Sequence, residues 1–493
     1  MASQPVEYDV IVVGGGNAAL CAALAARDAG VSVVVLEKAP PSEQGGNCPY
    51  TGGGFRFVHE GIEDLRHMLP ELTDSEVGRI SMAPYTADNF REHFAAVTKG
   101  DSDPALIETL ISNSRPTVEW MFQKGVRWEL SASSARIEGA PSVIPNSVGM
   151  SAWESGPGLV RMLTTACRRA GVTILYETAM TRLLTNDDGA VIGVEARDQD
   201  GLHELHGNGV VLACGGFEAN AEMRGERIGN GWERARVRGS AHNTGDGIRA
   251  AFEVGAQGTG QWNGCHATPI DVDAPATGDL QVTDIMPRRS YPIGITVNTD
   301  GLRFIDEGAG FAEQTFVDMG HAILSQIDGI AHQIFDGKAQ PHLEGRYSSA
   351  RRVEAGSIAE LAEKLGVDAE ALERTVEEFN ASAHEAEYAP RTLDGRSTSG
   401  LEPPKSNWAI KIDRPPYFAF TVTGGITYTY GGIKIDTGAR VLDTEDRAIP
   451  GLYAAGIIVG GIFVHGSLRA AGLMHGAVYG RIAGAAAATT VRA

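Results

Sequence analysis

Gly14, Gly16 and Ala19, followed at a distance by Glu37, are the residues whose types and spacing first point to chemistry. They spell G-x-G-x-x-A with an acid about twenty residues further on. Gly14 permits a tight turn, Gly16 lets a pyrophosphate approach the backbone, and the small Ala19 lets a helix pack close to a strand. Asn17 and Ala18 fall at the N-terminus of that helix, where free N–H groups and the helix dipole favour an anion. Glu37 is placed to accept hydrogen bonds from a ribose hydroxyl. The pattern predicts binding of an ADP-containing cofactor.

The elements that must hold these residues flank them. Val10 to Val13 is an apolar run, an Ala/Leu-rich segment follows the glycines to Ala29, and Val31 to Leu36 is a second apolar run. That order is strand, turn, helix, strand. At 493 residues the chain needs more than one core. A net charge of −20 argues against nucleic acid or an anionic membrane as partner, and it requires a local basic cluster for any anionic substrate. Met1 to Glu7 lacks the basic and apolar regions of a signal peptide, and no charge-free apolar stretch is long enough to span a membrane. The five cysteines form no C-x-x-C pair, which suits reduced thiols, and a cytoplasmic location is expected.

A second glycine turn runs from Gly45 to Gly54, and a mainly helical stretch then extends to about Lys124. A helix over Leu159 to Arg169 feeds a strand at Val172 to Tyr176. Met180 to Leu184 and Val191 to Glu195 flank the turn Asp187-Asp188-Gly189, a hairpin signal. Gly209 to Cys214 is a buried strand, and Glu354 to Glu385 holds two amphipathic helices capped at Ser357 (with Glu360) and Asp368. From Ile426 the strand-and-glycine style returns, with a strand at Gly451 to Ala455 and a helix from about Ala471. The two ends share one character, so an α/β nucleotide domain (1–264 and 411–493) interrupted by a second domain (265–410) is expected.

Several segments together resemble the flavoprotein family of fumarate reductase and succinate dehydrogenase, which includes the 3-ketosteroid dehydrogenases. They are YDVIVVGGGNAALCAALAARDAG, GGNCPYTGGG, VVLACGGFEAN, HNTGDGIRAA, VNTDGLRFIDEG, TYTYGGIKID and GLYAAG…GRIAG. The first two and the last are most like the tricarballylate dehydrogenase branch. The resemblance implies a Rossmann-like FAD-binding domain, an inserted α+β capping domain, and redox chemistry on a carbon–carbon bond beside a carbonyl or carboxylate. A second glycine turn soon after the ribose acid also favours FAD over NAD, because an isoalloxazine ring lies against bare backbone. In the family that turn, here Gly45, Gly46, Asn47, Cys48, Thr51, Gly53 and Gly54, runs along the flavin phosphates and ring edge. Lys38, Met180, Gly215, Asp246 and Gly456 fall on the cofactor side too. Gly472 and Leu473 open a helix aimed at the ring's carbonyl side. Covalent-flavin members carry a histidine in the second turn, where this chain has Cys48-Pro49-Tyr50, so non-covalent FAD is expected.

Three departures from the family pattern matter. Its proton-relay arginine, seven residues after the Phe of R-F-x-x-E, is Phe311 here. The Glu that bonds the ribityl chain is replaced at Gly456-Ile457. The H-G-x-N-R-L-G-G element, whose arginine clamps a substrate carboxylate, reads His465-Gly466-Ser467-Leu468-Arg469-Ala470-Ala471-Gly472. Aligned on His-Gly, Arg469 is that arginine; aligned without gaps from Gly480-Arg481, it lies two residues late, and its alternative role is to cap the following helix or touch the flavin. His266 matches the family histidine that holds the substrate's carbonyl oxygens, against the alternative of a buried histidine satisfied by backbone. Tyr428 falls on the second active-site histidine; as a phenol it would donate to a carbonyl oxygen or, with a depressed pKa, take a proton. Tyr430 could do the same or pack on flavin. Arg288 and Arg289 lie where the family has its Glu/Arg relay, and Arg289 is the one carried as a catalytic candidate. His266, Arg469 and one of this pair are the expected positive charges for an acid substrate.

The resulting expectation is an FAD-dependent dehydrogenase acting on a CH–CH bond of a small carboxylate or keto acid, with oxygen, a quinone or a protein as electron acceptor. Alternatives are a dehydrogenase of steroid or cyclic ketones, a fumarate-reductase-like ene reductase, and a non-catalytic electron-transfer subunit. No metal site is expected, because the cysteines show neither an iron–sulfur cluster pattern nor C-x-x-C-H.

Overall fold

The computed structural model describes residues 6–130, 142–144 and 149–490. Its backbone forms two compact units. The first comprises Met1–Met223, Ser240–Cys265 and Tyr428–Ala493; the second comprises Arg224–Gly239 and His266–Thr427.

The first unit is built on a six-stranded sheet ordered Arg440–Leu442, Ala448–Ala454, Gly209–Leu212, Val10–Val13, Val33–Leu36 and Thr173–Leu175. Every pairing is parallel except that of the Arg440–Leu442 edge. Val10–Val13 and Val33–Leu36 are apolar at every position because both faces are buried, as a parallel sheet covered by helices requires. The strand order places the first glycine turn at the carboxyl end of Val10–Val13, where such sheets bind ligands.

The helix after that turn, Asn17–Asp28, lies against the C-terminal helix Ala471–Thr490. The contact is backbone on backbone. A Cβ on Gly480 would sit 2.3 Å from the Ala18 carbonyl oxygen, and one on Gly484 would sit 2.0 Å from that of Ala22. Glycine is therefore required at both positions. A second sheet holds Val6–Glu7, Gly201–His206, Val191–Asp198 and Ala179–Thr185. The expected hairpin is present with longer strands, its turn closed by Asn186 Oδ1 accepting from the Asp188 and Ala190 amides.

The second unit centres on the long strand Tyr417–Thr429, which pairs with Ile330–Phe335, Arg236–Val237, Val353–Ala355 and Cys265–Asp271. Ile358–Leu365 and Ala369–Ser382 cover its core through Leu361, Leu372, Val376 and Phe379. Ser357 and Asp368 cap these helices by accepting from the Glu360 and Ala371 amides. The Glu360 carboxylate reaches back to the backbone before the helix, accepting from the Gly356 amide at 2.8 Å and meeting that of Ser357. This unit is α+β, as expected, but it continues past 410 to Thr427 because its central strand lies there, and it takes in Arg224–Gly239. Among the described residues no helix is long and apolar enough to cross a membrane, and no group of acidic, histidine or cysteine side chains is arranged to hold a metal.

Candidate active site

The cofactor candidates all fall in the first unit. Gly14 has φ +110°, its amide donates to the Leu36 carbonyl at 2.8 Å, and a Cβ there would lie 2.5 Å from the Ala213 oxygen. Gly16 precedes the helix, and the Asn17 amide donates to Cys48 Sγ at 3.2 Å, so the second turn closes one side of the helix mouth. Asn17 Nδ2 donates to the Leu473 carbonyl at 2.7 Å, fastening the start of the C-terminal helix beside Ala18 and Ala19. Gly456 completes this contact, its Cβ position lying 2.9 Å from Ala18 Cβ.

Glu37 is buried, and its carboxylate accepts from the Ala39 amide at 2.9 Å and the Gly45 amide at 3.5 Å and also meets the Gly15 backbone, linking the two glycine turns. Burial pushes its carboxyl above the ordinary range. Sequence reasoning assigned it to a ribose; the structure adds this backbone duty. The Thr178 amide donates to the Glu37 carbonyl at 3.0 Å, which brings the strand head carrying Met180 alongside. Lys38 Nζ donates to Thr244 Oγ1 at 2.7 Å and Asp246 Oδ2 at 2.8 Å. Burial alone would raise the Asp246 carboxyl, but Lys38 and Thr244 hold it below its usual range.

In the second turn, Thr51 Oγ1 donates to the Cys48 carbonyl and accepts from the Gly53 amide, while Gly54 pairs with Ser151. Asn47 Nδ2 donates to Glu218 Oε1 at 2.8 Å, and Asn47 Oδ1 accepts from the Ser240 amide at 2.9 Å. Asn243 Nδ2 donates to the same Glu218 oxygen at 2.7 Å and packs on Gly215. Glu218, Asn243 and Ser240 were missed by sequence reasoning; a carboxylate two residues beyond Gly216 was the available signal. A Cβ on Gly46 would meet only Asn243 Oδ1, at 3.8 Å, and one on Gly52 would meet nothing within 4 Å. One on Gly472 would come no closer than 3.8 Å to the Tyr428 phenol. Bare backbone is thus open at three points around the turn and the helix start, and this fits a flat ring lying against it.

Five candidates were assigned to chemistry. Tyr428, Tyr430 and Arg469 lie in the first unit; His266 and Arg289 lie in the second. Burial pushes the Tyr428 phenol up, with a Ser467 hydrogen bond opposing, which favours the protonated phenol over the proton-accepting phenolate. Tyr430 is buried 6.0 Å from Tyr428 and 6.3 Å from Phe463, ring centre to ring centre. Ser467, two residues before Arg469, is buried and engaged with Tyr428, so Arg469 is the arginine this loop presents. Its side chain is exposed and has no acidic partner among the described residues, while its carbonyl accepts from Arg56 Nε at 2.8 Å. Arg56 and Tyr85 were not anticipated from sequence.

In the second unit, burial and the nearby Arg289 and Arg238 push the His266 imidazole down to about 3. It is neutral at physiological pH, which corrects the expectation of a positive charge there; a buried imidazolium beside two guanidiniums is too costly. Arg289 Nε donates to Thr268 Oγ1 at 3.3 Å, and its guanidinium stacks 4.0 Å over Phe316. Burial, Arg238 and Arg346 lower it to about 10, so it remains charged at neutral pH. Arg288 is fully buried in an ion pair with Asp271 at 2.9 Å and is structural. Phe311 is partly buried and packs on Trp408 against the hydrophobic core.

The chain matches the family described as "FAD binding domain" over residues 9–473. It is 29% identical to an NADH:acrylate oxidoreductase of Vibrio harveyi over 98% of its own length, and it spans about half of that protein (50%). It is 29% identical to the 3-oxosteroid 1-dehydrogenase of Mycobacterium tuberculosis, covering 93% of this chain and 94% of that one. The structure of the open conformation of a flavocytochrome c3 fumarate reductase superposes with a TM-score of 0.74 at 26% identity, covering 99% of this chain and 79% of the other.

Proposed function

Since the chain belongs to this FAD-binding family of fumarate reductase-like flavoproteins and binds FAD, we propose that it is an FAD-dependent CH–CH oxidoreductase. In this reading it desaturates a small carboxylate or keto acid next to its carbonyl. The observation that carries the substrate class is Arg469: an exposed guanidinium without an acidic partner among the described residues, on the loop that leads into the C-terminal helix. A planar fork of donors suits a carboxylate.

Bound FAD supplies a two-electron acceptor for hydride. Gly14, Gly16, Asn17 and the head of its helix would hold the pyrophosphate, Glu37 the ribose, and the Gly45–Gly54 turn the flavin side. Cys48 is engaged by the Asn17 amide and burial raises its thiol to about 11, which supports non-covalent FAD. The neutral Tyr428 phenol would donate to a substrate carbonyl oxygen as negative charge develops on it. Within the second unit, read as the capping domain, His266 would serve as a neutral hydrogen-bonding group and Arg289 as a fixed cation. Phe311 at the relay position favours dehydrogenation over reduction. The electron acceptor is of the oxygen, quinone or protein class, and the location cytoplasmic.

A ketone reading is favoured by one observation, the Tyr428–Tyr430 pair near Gly472. Anaerobic titration of the yellow holoenzyme with saturated acids and with cyclic ketones separates the two. Acids are expected to bleach the flavin, and Arg469→Gln to shift that bleaching to far higher acid concentrations while leaving a slow residual reaction. Bleaching by ketones alone sinks the carboxylate reading.

A further inference from the structure

Arg56 follows the second glycine turn and is 4% exposed, yet no acidic side chain lies within ion-pair distance of it among the described residues. Burying a guanidinium without an anion is unfavourable, so what it holds matters. Its Nε donates to the Arg469 carbonyl at 2.8 Å and its backbone amide donates to the Ala470 carbonyl at 3.1 Å. Its other arm donates to the Tyr85 phenol at 2.8 Å, and Tyr85 in turn meets His93 Nδ1 at 3.2 Å. The segment so gripped is strained: His465 and Ala470 have φ of +61° and +63°, a region side chains other than glycine rarely adopt. Strained backbone persists where its surroundings over-determine it, and it concentrates at ligand clamps. The far end is tied as well, with the His465 amide donating to Gln261 and His465 Nε2 meeting Asp101 at 2.8 Å.

We propose that Arg56 is a positioning residue for anionic substrates: by holding the Arg469 and Ala470 carbonyls it sets the direction in which the Arg469 guanidinium meets a substrate carboxylate. The inference rests on the reading of Arg469 as the carboxylate clamp. A neutral donor would hold a carbonyl equally well. A cation beside a second cation is understandable where an incoming anion relieves the repulsion between them.

Arg56→Lys keeps the charge and loses the fork; Tyr85→Phe keeps Arg56 and frees its second arm. Both holoenzymes are assayed with succinate and propanoate in the oxidising direction and with fumarate and acrylate in the reverse, alongside flavin content and thermal midpoint. Arg56→Lys is expected to raise KM for the reactive acid about ten-fold or more, with kcat changed less than three-fold. Tyr85→Phe should shift KM in the same direction by less. In an Arg469→Gln background, Arg56→Lys should add nothing further. A KM change within two-fold in both single variants, or equal losses in kcat and flavin content, overturns the positioning role while leaving Arg469 in place. Additive effects of Arg56→Lys and Arg469→Gln overturn it as well. If Arg469→Gln leaves acid turnover intact, or no acid reacts with the parent enzyme, the clamp reading falls and this inference with it.

Discussion

At the scale of single residues, desolvation sets protonation throughout the candidate site. In the first unit burial raises the Tyr428 phenol, and in the second burial with Arg289 and Arg238 lowers the His266 imidazole to about 3, so both side chains are neutral hydrogen-bonding groups at neutral pH. The same physics acts on His475, which is fully buried with both ring nitrogens lacking a hydrogen-bond partner among the described residues. Burial lowers its imidazole to about 3, against about 6.5 in an unfolded chain. Between these values the unfolded chain binds a proton that the folded chain does not, so His475 removes stability as pH falls below about 6.5. At two units below that point the loss is about 2–3 kcal/mol. His475→Leu is expected to flatten the fall in thermal midpoint between about pH 6.5 and pH 4 relative to the parent; parallel curves for the two proteins would refute this.

Among elements, the contact between Asn17–Asp28 and Ala471–Thr490 does most to shape the cofactor site, because it sets the glycine turn and the Gly472 helix start side by side. Gly484→Ala forces a Cβ onto the Ala22 backbone and is expected to cost about 1–3 kcal/mol and to lower flavin content. Gly52→Ala meets nothing within 4 Å and should leave thermal stability of the flavin-free protein unchanged while weakening FAD binding. Equal melting losses in the two apoproteins would contradict this division. The glycine spacing of the C-terminal segment was readable as family pattern, but that Gly480 and Gly484 touch Ala18 and Ala22 is a long-range contact no local pattern contains.

For the molecule as a whole, the cofactor candidates come from segments that stretch from Gly14 to Leu473 and converge in one unit. Folding and FAD binding are therefore linked: a ligand bound only by the folded state stabilises it by about 2.7 kcal/mol at a hundred-fold excess over Kd. Acid precipitation of the holoenzyme is expected to release all flavin to the supernatant and leave a colourless pellet. Yellow colour retained in the pellet would show a covalent link.

The sequence by itself determined the βαβ fingerprint, the cofactor class, the order of the segments and the absence of a relay arginine at Phe311, since each depends on residues near one another in the chain or on a family motif. Tertiary structure alone decided that Glu37 ties two turns together, that Arg288 is spent on Asp271, and that Ser467 is buried while Arg469 is exposed. It also decided that Arg56 grips the loop carrying Arg469. Charge state and hydrogen-bond partner depend on burial and on residues distant in the chain, and neither is encoded in local spacing.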